Sequence, residues 1–166
     1  GDSITYGTGA AESESYPSVL QGIISRTVIN AGIPGETTAE GLRRLPSAID
    51  EHRPALMILC LGGNDFLRKL DEGEAKKNLR EMVRLSKEKG VDVILIGVPR
   101  LGLSLAVPDL YGEIAGEFRI PYEGKILRSI LSKGNLKSDY IHPNAQGYRK
   151  MAEAIAELLR KSGAVR

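Results

Sequence analysis

The sequence predicts an α/β fold, namely a three-layer α/β/α sandwich built around a mostly parallel sheet. Two apolar runs, residues 55–61 and 91–98, are too continuous for strands with one exposed face, and they are typical of central strands buried on both faces. One amphipathic helical pattern lies between these runs and another lies near the end of the chain. Because strands that alternate with helices form parallel sheets covered on both faces, these observations together predict the sandwich.

Four segments are strand candidates. Residues 27–29 form a short one, and the two long apolar runs supply the second and third. Residues 118–122 form a weaker candidate because Pro121 interrupts it, and proline cannot donate a ladder hydrogen bond. No repeat or linker divides the chain, so we expect residues 1–166 to form a single domain.

Two helices are predicted with defined ends. Apolar residues recur at helical spacing over residues 73–89, and Gly90 follows as a C-terminal stop. Over residues 143–161 the apolar residues again form one stripe, with Pro143 at the first helical position, where its missing N–H is not needed. Ligands of parallel α/β sheets bind at the carboxyl ends of the strands, so the loops after the strands are the expected place for a functional site.

Composition excludes several classes of function. Lys and Arg total 23 against 21 for Asp and Glu, and so small an excess argues against nucleic acid as a partner. The single Cys excludes an internal disulfide, and no paired spacing of ligands indicates a metal site. The longest apolar runs fall far short of the ~20 residues that a membrane span needs. We therefore expect no metal, no cofactor and no integral membrane segment.

Four polar loops carry the residue types that acyl transfer needs. Residues 1–7 (GDSITYG) supply a serine hydroxyl, residues 30–38 (NAGIPGETT) supply glycines, and residues 62–65 (GGND) supply an amide side chain. Residues 139–144 (DYIHPN) place an Asp and a His three residues apart, which one loop turn can pair.

These loops contain a candidate set for nucleophilic attack on an acyl group. The hydroxyl of Ser3 needs a base to become a nucleophile, and His142 can take its proton near neutral pH. A hydrogen bond from the imidazole to Asp139 holds the tautomer that this step requires. The amides of Ser3 and Gly35 and the side-chain NH₂ of Asn64 are suitable donors to an oxyanion, and one such donor contributes ~3 kcal/mol in the serine protease case.

The same loops resemble the SGNH (GDSL-type) hydrolases, especially the bacterial lysophospholipase, thioesterase I and arylesterase branch. The matching blocks are GDSITYG, NAGIPGETTAEGLRRLP, LGGNDFL and DYIHPNAQGY, which stand in the family's order and span nearly the whole chain. The resemblance implies a flavodoxin-like fold and a carboxylic ester hydrolase that needs no cofactor. It implies Ser3 as nucleophile, His142 as base and Asp139 as the group that orients the base. The Ser3 amide, Gly35 and Asn64 are the implied oxyanion hole.

The expected substrate is a small acyl ester, with thioesters and lysophospholipids as further candidates. Residues 100–108 lack a helical stripe but carry several leucines. In the thioesterase-like branch this region borders the acyl pocket, so we expect Leu103 and Leu105 to contact the acyl chain. The other interpretation is a loop that merely packs over a helix.

Two expectations concern the amino terminus. In the resembling family an internal strand leads directly into the GDS block, whereas no residue precedes Gly1 here. We expect the natural chain to carry this first strand ahead of Gly1. The compartment and the oligomeric state are not indicated: we expect a soluble protein, cytoplasmic, or periplasmic or secreted if a leader has been removed.

Two alternative functions remain open from the sequence. A flavodoxin-like module could cradle a phosphate or flavin with Ser3, Thr5, Thr8 and Gly9, since loops rich in hydroxyls and glycine bind phosphates. That alternative leaves the Asp–His pair of the last loop unexplained. An O-acyltransferase would use the same site as the hydrolase, with a sugar or alcohol in place of water.

Overall fold

The computed structural model describes residues 1–101 and 104–165. Within them, three strands form a sheet in the order β1-β2-β3, and both neighbouring pairs are parallel. The strands are β1 (Leu56–Leu59), β2 (Asp92–Ile96) and β3 (Tyr122–Glu123). The register places Leu59 opposite Leu95. The parallel sheet is therefore the one predicted, although its strands are shorter than the apolar runs.

The helices form two groups on the sheet. The α-helices of the described residues are α1 (Ser3–Tyr6), α2 (Tyr16–Ile24), α3 (Thr38–His52), α4 (Gly63–Leu67), α5 (Glu72–Glu88), α6 (Leu110–Phe118), α7 (Ile126–Leu131) and α8 (Ala145–Lys161). Helix α8 packs against α2 and α7, whereas α5 packs against α3 and α6. Because α5 and α6 contact β2 while α8 contacts β3, the sheet forms the middle layer. The α/β/α sandwich is confirmed.

The last four residues of the central strand β2 are all apolar because both faces of the sheet are covered there. Val93, Ile94, Leu95 and Ile96 are all at most 3% exposed. Successive side chains of a strand point to opposite faces, so consecutive burial means that both faces of the sheet are covered.

The predicted strand at residues 27–29 is wrong. Instead of a ladder bond, the backbone N–H of Val28 donates to the side chain of Gln21, with N and O 3.0 Å apart. Among the described residues β1 pairs only with β2, so its other edge offers no strand for this segment to extend.

A largely apolar cavity of about 680 Å³ borders that free edge of β1. Leu20 and Ile24 of α2 and Ile58 of β1 contribute to its wall, and Gly1 lies in the wall as well. Residues 27–29 also line this cavity.

Two predicted boundaries also need correction. Phe118 belongs to α6, which ends where Arg119 adopts a left-handed φ of 51°, so the predicted strand 118–122 begins only at Tyr122. Pro143 is not the first residue of the last helix. Asn144 is the N-cap of α8, because its side chain accepts the N–H of Gly147 at 3.0 Å.

Candidate active site

Ser3 is placed by the short helix that it begins. Asp2 is the N-cap of α1, since its Oδ1 accepts the backbone N–H of Ile4 at 3.0 Å. Gly7 ends the helix in a left-handed conformation with φ 103°, which favours glycine. The first N–H groups of a helix have no acceptor within it, so the amide of Ser3 is available to a ligand.

His142 is placed by a closed loop before α8. Asp139 Oδ1 accepts the backbone N–H groups of Ile141 and His142, each at 2.8 Å. The backbone N–H of Ser138 donates to the carbonyl of His142 at 3.0 Å. This local bonding is typical of Asp, whose short carboxylate can hold a turn together. The turn fixes the imidazole relative to the carboxylate.

The structure brings Ser3, His142 and Asp139 into one hydrogen-bonded series. Ser3 Oγ lies 3.0 Å from His142 Nε2, and His142 Nδ1 lies 2.7 Å from Asp139 Oδ2. The imidazole side chain is only 13% exposed, whereas the carboxylate is half exposed. Both distances are within hydrogen-bond range, as proton transfer from an alcohol to an imidazole requires.

The carboxyl group of Asp139 is held in its charged form. Partial desolvation raises its pKa, but hydrogen bonds from the His142 ring and from the amides of Ile141 and His142 outweigh this effect. The net pKa lies below the ordinary value for Asp. Asp139 therefore stays ionised beside the imidazole and favours a proton on Nδ1.

Gly35 lies in the loop before α3 and Asn64 lies in α4, and side-chain hydrogen bonds join these two segments. Asn64 Nδ2 donates to the carbonyl of Glu36 at 3.0 Å, and the Arg68 guanidinium donates to the carbonyl of Gly35 at 2.8 Å. A Cβ added at Gly63 would lie 3.5 Å from the Asp2 carboxylate, so the third loop approaches the first. One of the two N–H groups on Asn64 Nδ2 is left for another acceptor.

A buried polar cluster holds the Asn64 loop in place. The carboxylate of Asp65 accepts the backbone N–H of Thr38 at 2.9 Å and its hydroxyl at 2.6 Å. Asn78 Nδ2 donates to the same hydroxyl at 3.1 Å. The cluster ties the residue after Asn64 to the first residue of α3. The sequence indicates Asp65 as a residue that braces its loop, but it does not predict the Thr38 and Asn78 contacts, although the Thr37–Glu40 capping box does signal where α3 begins.

A buried ion pair, which the sequence analysis did not predict, holds the loop that carries Gly35. Glu36 is 4% exposed, and its carboxylate accepts two N–H groups from Arg44, one of them at 2.8 Å. Arg44 also donates to the carbonyl of Ala31 at 2.6 Å. A buried carboxylate requires such pairing. Glu36 lies in a loop and Arg44 lies in α3, eight positions later, and no sequence motif of that spacing predicts an ion pair.

The predicted acyl-contacting residues are placed only in part. Leu103 lies outside the described residues. Leu105 is half-buried and has a left-handed φ of 46°. The same loop begins beside the start of α4, because a Cβ added at Gly63 would lie 4.0 Å from a methyl group of Leu101.

Three residues of the alternative phosphate cradle, namely Thr5, Thr8 and Gly9, contact other parts of the chain. The hydroxyl of Thr5 is buried and lies 3.2 Å from the hydroxyl of Tyr16. The carbonyl of Thr8 accepts the Tyr148 hydroxyl at 2.7 Å. A Cβ added at Gly9 would lie 2.7 Å from the Pro143 carbonyl, so no open cradle surrounds Gly9.

The described residues contain neither a metal-ligand cluster nor a membrane-spanning helix. Over residues 1–101 and 104–165, no three His, Cys, Asp or Glu side chains are grouped as a metal ion would require. Within the same ranges, no helix combines the length and the apolar character needed to cross a bilayer.

The fold and the site define a class of enzyme. An alcohol, an imidazole and a carboxylate joined in series, on loops at the carboxyl end of a parallel sheet, are the arrangement of serine hydrolases. The sequence model of the GDSL-like lipase/acylhydrolase family matches residues 1–150. The chain belongs to this family, and ester hydrolysis is its class of activity.

Named relatives and solved structures agree with this assignment. The chain is 31% identical to the arylesterase of Vibrio mimicus, over 97% of this chain and 86% of that protein. It is 30% identical to esterase TesA of Pseudomonas aeruginosa, over 96% and 85% of the two chains. The structure of esterase EstA from Pseudoalteromonas sp. superposes with a TM-score of 0.87 at 23% identity, over 99% of this chain and 96% of that one. These similarities do not favour the phosphate-binding or acyltransferase alternatives.

Proposed function

We propose that this chain hydrolyses small acyl esters by transferring the acyl group to Ser3 and then to water. The observation that carries the proposal is the hydrogen-bonded series from Ser3 Oγ through His142 to Asp139. Ser3 Oγ attacks the carbonyl carbon while His142 Nε2 takes its proton. The same imidazole then returns the proton to the leaving alcohol.

The second half of the cycle reverses the first. Water replaces the alcohol, gives a proton to His142 Nε2 and attacks the acyl-enzyme, after which Ser3 Oγ recovers the proton as the acid leaves. During both halves the imidazole becomes positively charged. The ionised carboxylate of Asp139 stabilises that charge and holds the ring in position.

The developing oxyanion needs donors that are already oriented. The amide of Ser3 at the start of α1, the amide of Gly35 and the second N–H of Asn64 supply three. The bonds that tie the Asn64 side chain to Glu36 and Arg68 to Gly35 keep these loops in one arrangement. Preorganisation of this kind removes the need for the loops to rearrange as charge develops.

The acyl chain is proposed to lie along the loop of residues 100–108. Support comes from the contact of Leu101 with the loop that carries Asn64 and from the half-buried position of Leu105. A relative from Escherichia coli that is 28% identical is named thioesterase 1/protease 1/lysophospholipase L1. Thioesters and lysophospholipids are therefore proposed as further substrates. We also propose that residues 1–166 act as a single domain.

The nucleophile is tested by a serine-directed fluorophosphonate. Intact-mass analysis is expected to show one added phosphonyl group, and peptide mapping is expected to place it on Ser3. Ser3→Ala should take no label and should lose p-nitrophenyl acetate turnover by about 10⁴-fold or more, because attack then has no nucleophile. The matched control is Ser129→Ala on the exposed side of α7. Wild-type turnover by Ser3→Ala would refute the proposal.

The acyl groove is tested by chain length. Leu105→Ser removes apolar contact along the proposed path of the chain, so kcat/KM on p-nitrophenyl octanoate should fall about tenfold more than on the acetate. The acetate ester serves as the internal control, since it is too short to reach the loop. Equal losses on both esters would show that Leu105 does not contact the acyl chain.

A further inference from the structure

The loop of residues 30–36, which we call the pre-α3 loop, packs directly against α1, the helix that begins with the nucleophile. The backbone N–H of Ile33 donates to the carbonyl of Gly1 at 2.9 Å, in the segment that leads into α1. A Cβ added at Gly32 would lie 2.2 Å from the backbone nitrogen of Tyr6, so this close approach requires glycine. The pre-α3 loop and α1 are therefore joined backbone to backbone.

The other end of the pre-α3 loop holds Asn64. The carbonyl of Glu36 accepts Asn64 Nδ2 at 3.0 Å. The backbone N–H of Glu36 donates to the carbonyl of Ile33 at 3.1 Å, which closes a turn around Gly35. The loop thus contains one candidate oxyanion donor, the amide of Gly35, and it contacts the elements that carry the other two, Ser3 and Asn64.

Arg44 of α3 binds both ends of the pre-α3 loop through one guanidinium group. Its Nη2 donates to the carbonyl of Ala31 at 2.6 Å and to the carboxylate of Glu36 at 2.8 Å, and its Nε donates to the same carboxylate. The carboxylate is almost fully buried, whereas the Arg44 side chain is 30% exposed. The nitrogen of Gly1 lies 3.7 Å from this carboxylate, beyond hydrogen-bond distance, so it does not replace the arginine.

A loop that contains two glycines needs an external restraint to keep one conformation. Gly32 and Gly35 give the unfolded chain wide backbone freedom, and Gly35 adopts a left-handed φ of 81°. A buried ion pair contributes little net stability, because the cost of removing two charges from water offsets their attraction. The planar fork of Arg44 instead imposes a fixed geometry on the groups that it binds.

We propose that Arg44 is a positioning residue for ester hydrolysis, because its guanidinium fixes the pre-α3 loop and with it the mutual placement of the three oxyanion donors. The inference rests on the proposed function of those donors. Arg44 acts through the loop rather than on the substrate. Acylation and deacylation both pass through an oxyanion, so a displaced loop slows the two half-reactions alike.

Arg44→Lys tests this role while keeping a cation beside Glu36. The lysine ammonium ends one bond short of the Nη2 position, so it pairs with Glu36 without also reaching the carbonyl of Ala31. On p-nitrophenyl acetate kcat should fall about 10- to 100-fold while KM stays within about twofold, because misplaced donors affect the transition state more than the bound substrate. The matched control is Arg43→Lys, at the exposed neighbouring arginine of α3, which should keep the wild-type kcat.

Amide hydrogen exchange gives a second readout that needs no turnover. In Arg44→Lys the N–H groups of Ile33 and Glu36 should exchange about tenfold faster than in the wild type, because the loop opens more often. The amides of α5 report global unfolding and should keep their rates, which also verifies that the variant is folded.

Several results would overturn the assignment of Arg44. They are unchanged exchange of the loop amides, faster exchange shared equally by α5, a wild-type kcat in Arg44→Lys, or a rise in KM alone. A wild-type protein that hydrolyses no ester would instead contradict the proposed function. In that case the exchange of the loop amides would still decide whether Arg44 holds the pre-α3 loop.

Discussion

Asp2 is an acidic side chain that folding removes from water, although its neighbour Ser3 stays accessible. It is 2% exposed, and this burial raises its pKa from 3.8 to about 6, against the lowering effect of the Ile4 N–H. Its charge also interacts favourably with that of a protonated His142. At neutral pH the charged carboxylate of Asp2 therefore destabilises the fold but stabilises a protonated His142.

Asp2→Asn is expected to stabilise the protein near neutral pH. Between pH 3.8 and about 6 the native carboxyl holds a proton that the unfolded chain has released, so stability falls as pH rises through this window and stays lower above it. Asparagine keeps the capping oxygen and carries no charge. The free energy of unfolding in urea at pH 7 should rise by about 1–3 kcal/mol. The pH slope should flatten over the same window.

The same substitution, Asp2→Asn, is expected to lower the rate of ester turnover. In the proposed mechanism His142 becomes an imidazolium during attack, and Asp2→Asn removes a nearby negative charge from it, so kcat on p-nitrophenyl acetate should fall. A variant that is no more stable at pH 7 and keeps the wild-type pH slope would contradict the raised pKa of Asp2.

At the scale of elements, hydrogen bonds to one carboxylate join the start of α3 to the helix α4. Thr38, the first residue of α3, is fully buried and meets the carboxylate of Asp65 from α4 with both its amide and its hydroxyl. A carboxylate at a helix N-terminus also interacts favourably with the helix dipole. Asn64 precedes Asp65, so the position of this proposed oxyanion donor depends on the junction.

Thr38→Val tests the junction with an isosteric change. The hydroxyl is lost, which leaves Asn78 Nδ2 without that acceptor and the Asp65 carboxylate with one donor fewer. The free energy of unfolding should fall by about 1–3 kcal/mol, and kcat should fall while KM changes little. Thr27→Val, at an exposed threonine, is the control. An unchanged kcat would show that the junction does not orient Asn64.

The elements also show what the sequence could and could not predict. The strands β1 and β2 and the helices α5 and α8 follow from local apolar patterns, which are strong when burial is complete. The segment 27–29 has a suitable composition but no partner at the free edge of β1, and pairing is not a local property. The Thr38–Asp65 contact joins residues 27 positions apart, so no spacing rule announces it.

At the scale of the whole molecule, the candidate site joins the two ends of the chain. Ser3 and His142 are 139 positions apart and meet at 3.0 Å. The turn after α1 lies against the His142 loop, and the Tyr148 hydroxyl of α8 donates to the carbonyl of Thr8. Motif order predicted that these loops converge, but only the packing of α8 against α2 shows how they do so.

The Tyr148–Thr8 hydrogen bond links α8 to the turn after α1, so its loss would separate the two parts of the candidate site. If α8 detaches during heating or after a proteolytic nick, the proposed base His142 moves away with it, while β1 and β2 retain helices α3, α5 and α6 around them. Ester turnover would then vanish while most of the circular dichroism persists. A plate screen for variants that retain ester hydrolysis after heating would therefore also select sequences in which α8 stays bound to the turn after α1.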